Sequence, residues 1–413
     1  MERLIFHIDV NSAFLSWESA RRVRQGMPDL RNIPACIGGD PKKRTGIVVA
    51  KSIPAKKYGI TTGEPMAIRK CPNLVIVKSD FELYIKCSMA FKEICASYAP
   101  VMESFSIDEV FLDMTGTSLI YPDPIKTAHE IKDRIRDELG FTVNIGISTN
   151  KLLAKMASDF EKPDKVHTLF PDEIPMKMWP LPVRDLLFLG KASEKKLTEA
   201  GIHTIGYMAH AREAEIQRLL GNKAGHQLYQ YACGIDDSPV KAQPEEAKGV
   251  SVETTFNDDI TSVEQVLPIL LEQCDVVATR MRRKEKKCTS VSVTFRTLDF
   301  KNKSHQTTLS NATDTTDEIY KHAKQLFTES WKGEPLRLIG VALTNLTDES
   351  FEQLSLFEDN EKKERKRKLD ATMDAIRQKF GNDKITRVSI MNSNSGIARK
   401  ARAQMKNEDE KTE

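Results

Sequence analysis

The strongest constraint on the fold is an order of strand, helix, strand, strand, helix and strand that occurs twice along the chain. Apolar alternation and length predict the first copy as strands over 3–10, 101–106, 108–114 and 141–147, with helices over 82–98 and 124–139. The same reasoning predicts a second copy as strands over 249–256, 289–297, 305–310 and 336–344, with helices over 262–286 and 314–330. The expected class is α+β, and the first copy is ferredoxin-like, with its first and third strands central, adjacent and antiparallel.

Acidic side chains occur where those two central strands meet. Asp9 ends the first strand, and Asp108 and Glu109 begin the third. Carboxylates about 4 Å apart repel by roughly 4 kcal/mol per pair at an effective dielectric constant near 20, so the trio calls for cations. Oxygen ligands of this kind suit Mg²⁺, and two such ions support phosphoryl transfer. The alternative is that these residues form a helix cap and a solvated turn. The second copy has no acidic cluster at the equivalent positions, which favours a binding module.

The segments around these copies predict further structure. Residues 11–75 form an insertion with short strands, residues 166–236 are mostly helical, and the polar, proline-containing residues 237–248 form a linker. The stretch LLFLGKASEKKLTEAGIHTIGYM resembles a helix-hairpin-helix, in which the turn at Gly190 and Lys191 presents backbone amides to a DNA phosphate. A plain helical pair is the alternative, because Phe188 fills the position of the first glycine of the usual Gly-x-Gly.

The composition limits the binding partners and the cellular compartment that we expect for this protein. The net charge is only +3, but Lys and Arg dominate between Arg280 and Lys303. Within that stretch Arg282, Arg283, Lys286 and Lys287 are candidate contacts to DNA phosphates. The run KKERKRK at 362–368 is better explained as a solvated helix face. The seven cysteines show no zinc-binding pattern and indicate reduced thiols in the cytoplasm, and no apolar run approaches the ~18 residues of a membrane span.

Three motifs identify a family. FHIDVNSAF at 6–14, SIDEVFLDM at 106–114 and NIGISTNKLLAKMASDFEKP at 144–163 resemble motifs of the Y-family DNA polymerases, most closely their bacterial DNA polymerase IV branch. The resemblance implies template-directed, low-fidelity lesion-bypass synthesis on primer-template DNA with deoxynucleoside triphosphates. It implies that Asp9, Asp108, Glu109 and the Val10 carbonyl bind two Mg²⁺ ions. The implied domains are a palm (1–10 and 76–165), fingers (11–75), a thumb (166–236), a linker (237–248), a little finger (249–350) and a tail (351–413).

The resemblance also assigns the nucleotide site. Phe14 falls where the family keeps an aromatic steric gate against a 2′-hydroxyl, the alternative being a core phenylalanine on a helix over 12–24. Lys155 matches a lysine that contacts the triphosphate, and Lys56 stands where relatives have an arginine. Ala50 and Ile53 replace other phosphate contacts and cannot donate hydrogen bonds through their side chains. Asn11, with Ser12, is expected to cap the first helix.

A short motif after the last predicted strand resembles the peptide with which bacterial polymerases bind their ring-shaped sliding clamp. It comprises Gln353, Leu354, Leu356 and Phe357, flanked by acidic residues. The alternative is that these apolar side chains fold back on their own domain. Beyond them, LDATMDAIRQKF has a helical pattern of unassigned role. We expect a monomer that binds no membrane.

Two other functions compete with lesion bypass. The same palm and metal pair could serve a nucleotide cyclase, although the basic module and the hairpin argue against it. A non-catalytic DNA-binding subunit is the third possibility. The retained carboxylates speak against it, whereas the altered phosphate-binding stretch of the insertion favours it.

Overall fold

A computed structural model describes residues 3–40, 44, 46–63, 70–243, 246–348, 360–381 and 384–391. The chain divides into two compact units. The first comprises residues 1–39 and 48–244, and the second comprises residues 40–47 and 245–413. The boundary between 244 and 245 falls inside the predicted linker.

The first unit contains a mixed sheet, a small sheet and a set of helices. Its elements are, in chain order, β1 (Ile5–Val10), α1 (Ala13–Arg24), β2 (Ala35–Gly38), β3 (Val48–Lys51), α2 (Ile53–Lys57), β4 (Val75–Lys78), α3 (Phe81–Ala96), β5 (Val101–Ser104), β6 (Glu109–Asp113), α4 (Pro124–Leu139), β7 (Val143–Ser148), α5 (Lys151–Ser158), β8 (Val166–Thr168), α6 (Ile174–Lys177), α7 (Lys191–Glu199), α8 (Ile205–His210), α9 (Glu213–Leu220) and α10 (Asn222–Ala232).

The main sheet has the strand order β5-β6-β1-β7-β8. β1 lies between β6 and β7 and is antiparallel to both. The predicted ferredoxin-like arrangement is therefore confirmed, with β8 added parallel to β7 at one edge. The predicted element boundaries differ from the observed ones by a few residues.

The two faces of this sheet pack against different helices. Alternate residues of β1 and β6, such as Phe6 and Leu112, enter a core shared with α1, α3 and α4. On the other face lies α5, whose backbone approaches β7 at Gly146. A Cβ added there would lie 2.0 Å from the carbonyl oxygen of Ala154, so only glycine permits this approach. The close contact brings the side chains of α5 to the edge of the sheet that carries the acidic residues.

The remaining parts of the first unit match their predicted character. The insertion contains a three-stranded sheet with the order β3-β2-β4, and its last strand extends beyond the predicted limit of residue 75. The helices α6 to α10 share a core with α5, which includes Leu153, Leu197 and Ile216. The helices α7 and α8 lie in the predicted helix-hairpin-helix segment.

The second unit repeats the element order but not the strand order. Its elements are β9 (Gly249–Ile260), α11 (Val263–Arg283), β10 (Lys287–Thr297), β11 (Asn302–Thr313), α12 (Thr316–Ser330), β12 (Leu336–Thr347), α13 (Asn360–Phe380) and α14 (Val388–Met391). The antiparallel sheet has the order β11-β10-β12-β9, so the first and third strands of this copy lie at opposite edges. Positions equivalent to the acidic trio therefore do not meet, which gives a topological reason for the absence of a catalytic cluster.

The helical pattern of the tail corresponds to helix α13. It begins at Asn360, takes in the charged run at 362–368, and docks on the second unit. Its Asp370 and Arg377 are buried, and Arg377 Nη2 lies 2.7 Å from the carboxylate of Asp275 on α11. The residues of the clamp-like motif lie outside the described residues. Among the described helices none is long and apolar enough to cross a membrane.

Candidate active site

The backbone places the three acidic residues together as predicted. Asp9 of β1 and Glu109 of β6 are directly paired across the two strands. The amide nitrogen of Val10 donates to the carbonyl oxygen of Asp108 at 3.0 Å, which fixes the strand ends against each other. Ser106 Oγ donates to Asp108 at 2.7 Å and lies 3.4 Å from the carboxylate of Glu109. The position of all three residues at one sheet edge follows from this register.

Two lysines form ion pairs with the carboxylates of this site. Lys155 of α5 is hydrogen bonded to Glu109, and Lys162, in the loop after α5, is hydrogen bonded to Asp9. Burial raises the pKa of Asp9 to about 6, against the opposing positive charge of Lys162. Burial disfavours the charged forms of both lysines, but the carboxylates outweigh it and raise each lysine's pKa. The site therefore holds both charge signs in close contact.

Binding of metal ions by Asp9, Asp108 and Glu109 stays a prediction. Across the described parts of the chain, no group of three or more His, Cys, Asp or Glu side chains is arranged to hold a metal ion. In this structure the ammonium groups of Lys162 and Lys155 neutralise Asp9 and Glu109. The donor set itself fits a hard divalent cation, since Asp9, Asp108 and Glu109 supply only oxygen ligands at one sheet edge. The raised pKa of Asp9 indicates a carboxylate whose charged form needs a cationic partner.

Phe14 lies on the first turn of α1, close to this edge. Its ring stacks on Tyr84 with centroids 4.7 Å apart and an interplanar angle of 19°. Trp17 and Phe81 lie within 6.0 Å of the Phe14 ring centroid. Phe14 is only partly buried, whereas Tyr84 is completely buried. The ring thus has one supported face, as either a gate or an outer core residue would.

The insertion has lysine side chains that could contact a triphosphate, but Ala50 and Ile53 supply no side-chain hydrogen-bond donor. Lys56 is exposed on the short helix α2. Ala50 is buried in β3, and the side chain of Ile53 is 60% exposed at the start of α2. An exposed isoleucine cannot hydrogen bond to a phosphate, so any triphosphate contact from α2 must come from lysine or the backbone.

The predicted DNA contacts divide into two groups. Gly190 begins α7 without a side-chain cap, and Lys191 is exposed beside it. Phe188 is also exposed in this turn and adopts a left-handed conformation with φ of 64°, which explains why the family has glycine there. Gly190 and Lys191 are therefore open to solvent at the N-terminus of α7.

In the second unit, one predicted DNA contact is corrected. Arg282 Nε donates to Asp374 of α13 at 2.6 Å, and its side chain is only 12% exposed. This ion pair removes Arg282 from the set of candidate phosphate contacts. Lys286 pairs with Glu246 and Asp348, whose side chains are exposed, so its contact to DNA stays a prediction. Arg283 and Lys287, partly buried in the same stretch, also stay in the predicted set.

Sequence reasoning missed Lys162 and misassigned Asn11. Lys162 belongs to the motif at 144–163. Its position in the loop after the predicted helix of that motif could have indicated that it lies near the acidic residues. The predicted helix cap is wrong, because Asn11 Nδ2 donates to Asn144 at 3.1 Å. Ser12 precedes α1 with a left-handed backbone and makes no side-chain cap bond. Nothing in the sequence alone pairs Asn11 with Asn144.

Comparison with known proteins identifies the family. Residues 8–159 match the impB/mucB/samB family, residues 247–356 match the C-terminal domain of that family, and residues 184–236 match the DNA polymerase-iota thumb domain. DNA polymerase IV of Clostridium acetobutylicum is 45% identical over 95% of this chain and 99% of its own length. DNA polymerase IV 1 of Bacillus subtilis is 36% identical over 92% of this chain and 91% of its own length. The chain belongs to the Y-family DNA polymerases, in the bacterial DNA polymerase IV branch.

The fold agrees with this membership. A solved Y-family DNA polymerase chimera superimposes with a TM-score of 0.74 at 21% identity, covering 84% of this chain and all of that one. The predicted activity is confirmed: the chain is a translesion DNA polymerase that extends primer-template DNA with deoxynucleoside triphosphates. Its family membership implies dependence on a divalent metal. Neither a cyclase nor a non-catalytic subunit finds support among the relatives.

Proposed function

We propose that Asp9, Asp108 and Glu109, with the Val10 carbonyl, hold two Mg²⁺ ions during nucleotide addition. The observation that carries this proposal is the cross-strand pairing of Asp9 with Glu109. When bound, the two ions activate the primer hydroxyl and stabilise the leaving pyrophosphate. Ser106 orients the Asp108 carboxylate through its hydroxyl hydrogen bond.

Lys155 and Lys162 bind the triphosphate of the incoming nucleotide in this proposal. Both ammonium groups lie against the carboxylates that the ions would neutralise. Once its carboxylate partner binds a cation, each lysine would pair with a phosphate oxygen instead, so its charge would stay paired. Lys56 of α2 adds a third positive charge. Phe14, supported by Tyr84, excludes a ribose 2′-hydroxyl.

The proposed roles of the other segments follow their chemistry. The main sheet serves as palm, the small sheet as fingers, and the helices α6 to α10 as thumb. Gly190 and Lys191 at the N-terminus of α7 contact a DNA phosphate, and Arg283, Lys286 and Lys287 add contacts from the second unit, the little finger. We further propose that Gln353, Leu354, Leu356 and Phe357 bind a sliding clamp, and that the polymerase is a monomer. Its seven free thiols favour a reducing cytoplasm.

Substitution of the acidic residues tests the metal proposal. Asp108→Ala and Glu109→Ala should each abolish nucleotide addition in a primer-extension assay, because each removes an ion ligand. DNA affinity, measured by fluorescence anisotropy, should stay within a few-fold. Asp113→Ala is the matched control, since Asp113 ends the same strand at the far side and should leave extension largely unchanged. Near-normal extension by either of the first two variants would contradict the proposal.

A further inference from the structure

We infer that Asn11 and Asn144 are positioning residues that form a buried amide pair and hold Lys162 at the active site. The inference rests on the nucleotide contact proposed above for Lys162. Asn144 lies on β7 directly opposite Asp9, and Asn11 follows the end of β1. Asn144 therefore starts from a strand position, and Asn11 from the residue after a strand, next to the carboxylate that Lys162 contacts.

Asn144 uses its whole hydrogen-bonding capacity. It is completely buried, and its Nδ2 donates to the carbonyl oxygens of Ser158 at 3.1 Å and Glu161 at 2.7 Å. Its Oδ1 accepts from Asn11 Nδ2 at 3.1 Å and from the Lys165 amide at 3.2 Å. A side-chain amide has two donor hydrogens and two acceptor lone pairs, so all four are satisfied.

Asn11 completes the attachment on the other side of Lys162. Its Oδ1 accepts from the amide nitrogen of Asp164 at 2.9 Å. The two amides thus bind the backbone before Lys162, at Glu161, and after it, at Asp164 and Lys165. Asn144 belongs to β7 of the main sheet and Asn11 directly follows β1, so the loop is attached to the sheet beside Asp9.

The two amides fix the backbone position from which the Lys162 side chain extends. A lysine side chain has substantial rotamer freedom, and ordering it on a ligand costs conformational entropy. Fixing the backbone on both sides of Lys162 limits the positions that its ammonium group can reach. Removing either amide leaves a buried donor or acceptor without a partner, which favours displacement of the loop. Displacement moves Lys162 without altering Asp9, Asp108 or Glu109.

Steady-state kinetics with a single nucleotide test this role. Asn11→Ala should raise the KM for the deoxynucleotide roughly tenfold, the effect of removing a charged hydrogen bond, with a smaller change in kcat. Asn11→Asp keeps an acceptor for the Asp164 amide but sets a carboxylate oxygen against Asn144 Oδ1, which is also an acceptor, so it should not restore the wild-type KM. Gln273→Ala is the control: it removes a buried amide from the second unit and should leave KM unchanged.

A double-mutant cycle separates positioning from general support of the fold. If Asn11 acts through Lys162, Asn11→Ala combined with Lys162→Ala should raise KM no further than Lys162→Ala alone. Hydrogen exchange without nucleotide or metal gives a second readout. The amides of Asp164 and Lys165 should be protected in the wild type and exchange faster in Asn11→Ala. If Asn11→Ala does not fold, Asn144→Ser takes its place in both measurements.

The outcomes distinguish this inference from the proposed function beneath it. Additive effects on KM, or an unchanged KM while the loop amides exchange faster, would overturn the positioning role and leave the Lys162 contact intact. An unchanged KM in Lys162→Ala would remove the nucleotide contact itself, and the positioning role with it. In that case loss of activity in Asp108→Ala would still support the metal proposal.

Discussion

At the scale of single residues, the site balances two carboxylates against two ammonium groups. Asp9 and Glu109 are each hydrogen bonded to a lysine from α5 or the loop after it. Because the carboxylates are poorly solvated, their charged forms need the two lysines as partners when no metal ion is bound. In the proposed function the same lysines pair with phosphate oxygens once cations bind the carboxylates. Such an exchange would keep each charge of the site paired.

Phe14 gives a prediction at this scale. Phe14→Ala should raise incorporation of ribonucleotides relative to deoxynucleotides on the order of tenfold or more, since removal of the ring opens space below the 2′ position. Deoxynucleotide use should change much less. Paired single-nucleotide kinetics measure the ratio. Phe81→Ala is the matched control, because Phe81 belongs to the same aromatic group but is 47% exposed. An unchanged ratio in Phe14→Ala would make Phe14 a core residue.

The sequence predicts some of these residues better than others. Asp9, Asp108 and Glu109 could be placed because they lie at strand ends, and strand pairing follows from topology. Lys162 and Asn144 could not, because their contacts depend on how the loop after α5 turns back on the sheet. Asn11 was misassigned for the same reason: its position before α1 suggested a cap, but the folded loop offers stronger partners.

At the scale of elements, pairing and docking depend on more than local pattern. The order of strands and helices was correct in both units, yet the same order gave two different sheets. Element order does not determine which strands pair, and in the second unit β10 lies beside β12. Helix α13 begins earlier than its apolar pattern indicated. Its first half is charged, and ion pairs such as Arg367 with Asp314 join it to the unit.

The docking of α13 leads to a stability prediction. Arg377 and Asp275 are 5% and 8% exposed and form a 2.7 Å ion pair. Arg377→Met should lower the free energy of unfolding of the second unit by roughly 3 kcal/mol, because it leaves a buried carboxylate with less compensation. Combining it with Asp275→Leu should recover much of the loss. Calorimetry of the whole chain measures both.

An exposed ion pair in the same unit provides the control. Lys301 pairs with Asp299, and both side chains are more than half exposed. Lys301→Met should change stability far less than Arg377→Met, because solvent screens surface pairs. Equal effects of Lys301→Met and Arg377→Met would show that α13 is not held by buried charge.

At the scale of the whole molecule, DNA affinity should come from cations spread over the chain. Replacing Lys191, Arg283 and Lys287 by Ala should reduce the slope of log K against log salt by about 0.9 for each duplex phosphate that the variant no longer neutralises. The decrease in affinity should be the same for all DNA sequences. Arg282→Ala is the control, since Arg282 is paired with Asp374 and its removal should lower stability without changing the slope. Salt titrations of DNA binding, followed by anisotropy, compare the two variants. An unaltered slope in the triple variant would show that these three residues do not contact DNA phosphates.

The clamp proposal also concerns the whole molecule, because tethering changes how long the polymerase stays at a primer end. Leu356 and Phe357 are two large apolar residues in an acidic segment. Short peptide motifs gain most of their affinity from such anchors, and truncating one typically costs ~2 kcal/mol or more. Leu356→Ala with Phe357→Ala should therefore abolish stimulation by the cognate clamp on long templates. Attachment raises the local concentration of enzyme without altering its active site, so synthesis on short primers without clamp should be unchanged. Calorimetry that finds undiminished clamp binding in the double variant, or an assay that finds reduced activity without clamp, would assign the motif to the fold.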